Sequence, residues 1–170
     1  SGTGIINVNG KTISQYELKV NEGAHFVTDI NNLNLNSESV ITNNGTIDLS
    51  AKHTDNNSLK NDIFGGDGTL NLVEGTLFTD GHSINQKVLS IASVATFQAD
   101  VEDIKVTTDS IDNKGLLQLK GNGDFDYTLT DKNANLEILN GAEIVALTAA
   151  TMHVVFEKLK PFVNVPFISI

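Results

Sequence analysis

The feature that most restricts this chain is a short apolar–polar–apolar unit that keeps returning, bounded by Gly, Asn or Asp. Leu33-Asn34-Leu35, Ile47-Asp48-Leu49, Leu70-Asn71-Leu72, Leu89-Ser90-Ile91, Leu117-Gln118-Leu119 and Leu136-Glu137-Ile138 all have this form. A period of two sends both apolar side chains to one face and the polar one between them to the other. These are strand units with one buried face. Helical periodicity is weak before residue 140. The last apolar positions of the units are 35, 49, 72, 91, 119 and 138, at intervals of 14, 23, 19, 28 and 19. They scatter around about 20, within the range of solenoid repeats.

Two units are near copies. Asn44-Gly45-Thr46-Ile47-Asp48-Leu49 and Asp67-Gly68-Thr69-Leu70-Asn71-Leu72 lie 23 residues apart. Both read turn, Gly, Thr, strand. Asn113-Lys114-Gly115-Leu116-Leu117-Gln118-Leu119 is a looser third copy. One coil per repeat buries two or three apolar residues, and stacked coils pair their backbones and share one core. Asn and Asp suit the corners because they tolerate left-handed backbone and bond nearby amides. The chain is therefore read as all-β, a parallel β-solenoid over residues 1–140. An antiparallel β-sandwich, which also shows many short strands between turns, is the alternative.

Two segments depart from the pattern. Residues 51–62 are polar and are expected to leave the stack as a loop. Residues 141–170 are an apolar C-terminal segment expected to cap the core. It reads as strands flanking an Asn140-Gly141 turn, because Val, Ile and Thr are frequent there. It also reads as a capping helix, with Asn140 as cap and Glu143 at the third position. Ile144, Leu147, Met152, Val155, Phe156 and Leu159 then share a face, and Pro161 ends the helix.

Composition removes several classes of function. The 21 acids outnumber 11 bases, all of them Lys, for a formal charge of −10. Without Arg or a cationic cluster the chain is poorly equipped for phosphate backbones, so no nucleic-acid partner is expected. There is no Cys, hence no disulfide, thiolate site or Cys nucleophile. The most apolar stretch, Met152 to Phe167, is broken by Glu157, Lys158 and Lys160, so no membrane insertion is expected. Ser1-Gly2-Thr3-Gly4 lacks a basic region and an apolar core, so no signal peptide is read there.

At Asn43-Asn44-Gly45-Thr46-Ile47-Asp48-Leu49 and Gly65-Gly66-Asp67-Gly68-Thr69-Leu70-Asn71-Leu72 the chain resembles passenger segments of bacterial autotransporters, with their short "N-x-G-T-[IL]-x-L" coils. The flavour is that of rickettsial surface antigens, since Lys occurs without Arg and the 20 Asn suit an AT-rich genome. The resemblance covers roughly residues 30–140 and carries no catalytic motif. It implies a right-handed β-helix, secretion through a membrane barrel outside this segment, and adhesion or display at the bacterial outer surface.

Five constellations were weighed as chemistry. Gly65-Gly66-Asp67-Gly68-Thr69-Leu70-Asn71-Leu72-Val73 resembles a calcium-binding nonapeptide, but Leu70 stands where the ligand Asp belongs. In Asp124-Phe125-Asp126-Tyr127-Thr128 a strand would turn Asp124, Asp126 and Thr128 outward and the two aromatics inward. Paired carboxyls of that kind could serve a glycosidic bond, although a polar outer face explains them as well. Asp100, Glu102 and Asp103 read as an acidic solvated face. Among His25, His53, His82 and His153 there is no metal-ligand spacing, and Asp80-Gly81-His82-Ser83 cannot converge as a triad from adjacent positions. The sequons Asn44-Gly45-Thr46 and Asn56-Asn57-Ser58 are expected by chance in so Asn-rich a chain.

The sequence thus leads to a non-enzymatic, surface-displayed adhesin or passenger fragment, part of a longer chain, binding a protein or glycan on another cell surface. No catalytic, cofactor or metal residue is assigned. The rivals are a carbohydrate-active β-helix enzyme, with Asp124, Asp126 and Asp100 as its acids, and a structural spacer. A groove lined by carboxylates and a Lys would favour the enzyme.

Overall fold

The two near-identical units stack directly on each other. Thr46, Ile47, Asp48 and Leu49 pair in parallel with Thr69, Leu70, Asn71 and Leu72. A computed structural model, which describes residues 4–52 and 57–139 and the backbone of 143–147, extends this relation into a parallel β-solenoid of about six turns. Every strand pairing among the described residues is parallel, which removes the antiparallel sandwich.

Three faces can be followed along the stack. The first holds Ile5–Asn7, His25–Asp29, Thr46–Ala51, the start of Thr69–Phe78, Val88–Ile91, Ser110–Asn113 and Thr128–Leu129. The second holds the end of Thr69–Phe78, then Ala95–Asp100, Leu116–Lys120 and Asn135–Ile138. The third holds Leu18–Val20, Ile41–Asn43, Ile63–Phe64, Ile84–Gln86 and Ile104–Val106. Two short pairings, Ile13–Gln15 with Leu33–Leu35 and Asn122–Phe125 with Glu143–Leu147, complete the pattern.

Register converts alternation into continuous apolar columns. On the first face Phe26, Ile47, Leu70, Leu89 and Ile111 stack inward, all buried. On the second, Leu77, Phe97 and Leu117 do the same. On the third, Ile41, Ile63, Ile84 and Ile104 form an isoleucine column. Each such side chain contributes about 1.5–3 kcal/mol by leaving water.

The uneven intervals in the sequence have a simple cause. Successive members of the first-face column, Phe26 to Leu129, are 21, 23, 19, 22 and 18 residues apart. The intervals of 14 and 28 arose from counting units that lie on different faces. The third copy shows this directly: Leu116–Leu119 stacks on Thr96–Ala99 of the second face, not over Thr69–Leu72. What the copies share is a local corner. Asn43 Oδ1 accepts from Gly45 N, and Asn113 Oδ1 accepts from Gly115 N, both at 3.2 Å.

Asn43 and Asn113 also join their coil to the next. Asn43 Nδ2 donates to the Thr69 carbonyl at 3.0 Å and Asn113 Nδ2 to the Asn135 carbonyl at 3.1 Å. On the third face Val20 pairs with Asn43, and Gln86 with Val106. Gln86 Oε1 accepts from Asn43 Nδ2 at 2.6 Å across two coils. A Cβ on Gly68 would intrude on both amides at 2.7 Å.

Expectations for the two irregular segments divide. Residues 51–62 do not leave the stack as one loop. Ala51 ends a first-face strand, Ser58 bridges to Phe78, and Asn57, Leu59 and Asn61 are buried. The polar composition misled because the asparagines bond the core edge: Asn61 Nδ2 donates to the Asn36 and Ser39 carbonyls and Asn57 Nδ2 to that of Ala51. In the C-terminal segment Glu143–Leu147 is a strand, which removes the helix reading there. The remainder of 141–170 lies outside the described residues.

Candidate functional site

The outward positions of the first face form a polar column. His25 Nε2 lies 2.8 Å from Asp48 Oδ2, and Asn71 Nδ2 donates to Asp48 Oδ1 at 2.7 Å. Farther along, Ser90 Oγ donates to Asp112 Oδ2, and Thr130 Oγ1 to Asp112 Oδ1, both at 3.2 Å. Lys114 Nζ stands 2.6 Å from Asp112 Oδ2. The hydrogen bond from Lys114, then those from Ser90 and Thr130, hold the Asp112 carboxyl below the usual carboxylate range. These groups satisfy one another across coils, so they stiffen the face.

A different arrangement stands where the third face turns into the first. The corners there differ in length from coil to coil. Asn21–Ala24 takes four residues, Asn44 and Gly45 two, Gly65–Gly68 four, Lys87 alone one, and Thr107–Asp109 three. A short corner between two long ones leaves a notch. The result is a polar groove of about 890 Å³ lined by Asn21, Glu22, Asn44, Gly65, Asp67 and Lys87. It crosses four coils, or about 14 Å along the stack at the usual strand spacing.

The backbone beneath the groove is fixed by hydrogen bonds. Asn44 N donates to the Val20 carbonyl at 2.8 Å, Ala24 N to Asn21 at 2.9 Å, and Lys87 N to Gly68 at 2.9 Å. Gly45 is required because a Cβ would collide with the Ala24 carbonyl. Glu22, Asp67 and Lys87 are the charged residues of the lining.

The sequence-derived candidates fare differently. Leu70, at the position where the nonapeptide needs a carboxylate, is 1% exposed, so that segment serves the core. Asp124 and Asp126 are exposed and alternate with buried Phe125 and half-buried Tyr127, as expected of an outer face. The two rings meet edge to face at 5.3 Å. Asp100 precedes the 3-10 turn Val101–Asp103 without a side-chain cap bond and lies 3.4 Å from Lys120. None of Asp100, Asp124 and Asp126 lines the groove.

His82 pairs with Asp62 at 3.2 Å, not with Asp80, and Ser83 reaches the same carboxylate through its backbone N–H. The Asp80-Gly81-His82-Ser83 run is thus a turn. Asn44 of the first sequon lines the groove. Asn56, His53 and His153 lie outside the described residues. Among the described residues no three His, Asp or Glu side chains are grouped to hold a metal ion, and no helix is long and apolar enough to cross a membrane.

Glu22, Asp67 and Lys87 were not linked by the sequence reading. The only sequence signal is the unequal spacing from the end of one apolar unit to the start of the next, and it becomes visible once the columns are known. Comparison of the chain with known protein families, with curated proteins and with solved structures finds no match.

Proposed function

We propose that this chain is a non-enzymatic binding module displayed on a bacterial surface, a passenger-type segment that contacts protein or glycan on another cell. The observation that supports it best is the solenoid itself, a rigid stack whose outward columns are polar and whose core is continuous. Such a scaffold presents extended faces along its length, and affinity accumulates through many copies on one surface. The formal charge of −10 favours basic patches on a partner. The test is binding of the purified chain, immobilised on beads at varied density, to intact host-type cells. Density-dependent adhesion above that of an unrelated β-solenoid supports the reading. Adhesion at background fits a spacer instead.

One observation favours the carbohydrate-active reading as a second. Glu22 and Asp67 share a groove with Lys87, a set able to supply an acid, a base and a cation. Turnover of acidic or neutral polysaccharides that is lost in Asp67→Asn would establish the enzyme. Uniform lack of turnover leaves the binding module.

A further inference from the structure

We propose that the corner groove binds a neutral, hydroxyl-rich saccharide chain laid along the solenoid axis. This rests on the reading of the protein as a binding module and names the ligand class of one site on it.

Three features carry the proposal. The first is construction. The groove follows from alternating corner lengths over a hydrogen-bonded backbone, so it is formed before any ligand arrives, which lowers the ordering cost of binding. The second is availability. Three acids on the outer faces are engaged by contrast: Asp48 with His25 and Asn71, Asp62 with His82, Asp112 with Lys114. The side chains of Asn21, Glu22, Asn44, Asp67 and Lys87 form no hydrogen bond or ion pair among the described residues. Five polar groups therefore face one groove with their bonding capacity intact.

The third is chemical match. Carboxylates only accept, an ammonium only donates, and carboxamides do both. Sugar hydroxyls are donors and acceptors on neighbouring carbons, and this mixture can satisfy both functions. The lining contains no aromatic or aliphatic side chain, so it offers nothing to an apolar peptide or an acyl chain. A polyanion meets two carboxylates against one ammonium on a chain of charge −10. A basic peptide would meet Lys87 among its contacts.

The test uses the full chain, labelled with 15N and titrated with hexasaccharides of glucose, mannose and N-acetylglucosamine, with hexalysine and with hexagalacturonate. The expected result is saturable shifts at residues 21, 22, 44, 65, 67 and 87 with at least one neutral hexasaccharide. Asp67→Asn and Lys87→Gln should each weaken that binding about tenfold, equivalent to about 1.4 kcal/mol. Asp124→Asn should bind as the parent does.

The proposal is overturned if no neutral hexasaccharide shifts those signals at millimolar concentration. It is also overturned if hexalysine or hexagalacturonate binds in preference, or if the groove variants bind like the parent. Bead adhesion by the same variants separates the two readings. Adhesion that persists without any neutral-sugar binding removes the groove proposal and leaves the module. Adhesion absent from the parent chain removes the module.

Discussion

Replacing Asn43 with Val should cost more stability than its volume suggests. Val20 pairs with Asn43 from the neighbouring coil and is itself buried, so a branched apolar side chain suits this edge of the core. What is lost is bonding. Asn43 is 0% exposed and donates to Gln86 Oε1 and the Thr69 carbonyl while accepting from Gly45 N. Each buried group left without a partner costs about 1–3 kcal/mol. Added apolar burial returns about 1–2 kcal/mol. With three partners stranded, the net loss should be about 1–8 kcal/mol. Gln86→Leu removes the longer-range bond with Asn43 and the local one from Gln86 Nε2 to the Asn85 carbonyl, and should cost about 1–2 kcal/mol.

The double variant removes both ends of the Asn43–Gln86 bond, so it should be less destabilised than the sum by about 1–2 kcal/mol. Urea unfolding followed by far-UV circular dichroism gives these values. Hydrogen exchange at Gly45 N gives the local effect, since that amide loses its acceptor. A loss below about 0.5 kcal/mol for Asn43→Val would refute the reasoning. So would additivity within about 0.3 kcal/mol, the level expected of sites that do not interact.

Three further outcomes are expected. Gly75 has φ +83° and a Cβ there would overlap the Ala51 carbonyl, so Gly75→Ala should lose about 2–4 kcal/mol in thermal melts. Leu117→Ala opens a cavity at a 0%-exposed site and should cost about 3–4 kcal/mol, whereas half-buried Leu136→Ala in the same column should cost about half as much by urea titration. Asp112 has its folded-state pKa lowered, so its contribution is present above the ordinary carboxylate value and is lost as pH falls through the lowered one. Unfolding midpoints measured across that acid range should fall less steeply for Asp112→Asn than for the parent.

The strand units and the 46–49 to 69–72 stacking were legible because alternation and turn residues are local signals. The face on which each unit lies was not. Leu117-Gln118-Leu119 looks like Ile47-Asp48-Leu49, yet belongs to another side of the coil, since the Asn-x-Gly corner recurs wherever the chain must turn. Asn57 and Asn61 were misjudged because burial of an amide depends on carbonyls supplied by distant coils. The groove was invisible for the same reason: Asn21 and Lys87 become neighbours only through three successive registers.

The unequal corners have a consequence for how such a chain can change. Corner residues take no part in the inward columns, so their number is not tied to the pairing of strands. Insertions of a residue or two at Lys87 would fill or divide the notch while Ile41, Ile63, Ile84 and Ile104 stay aligned. Recognition and foldability are thereby separated along the same polypeptide. Related chains could diverge in what they touch by editing corner length alone, with the core sequence held constant.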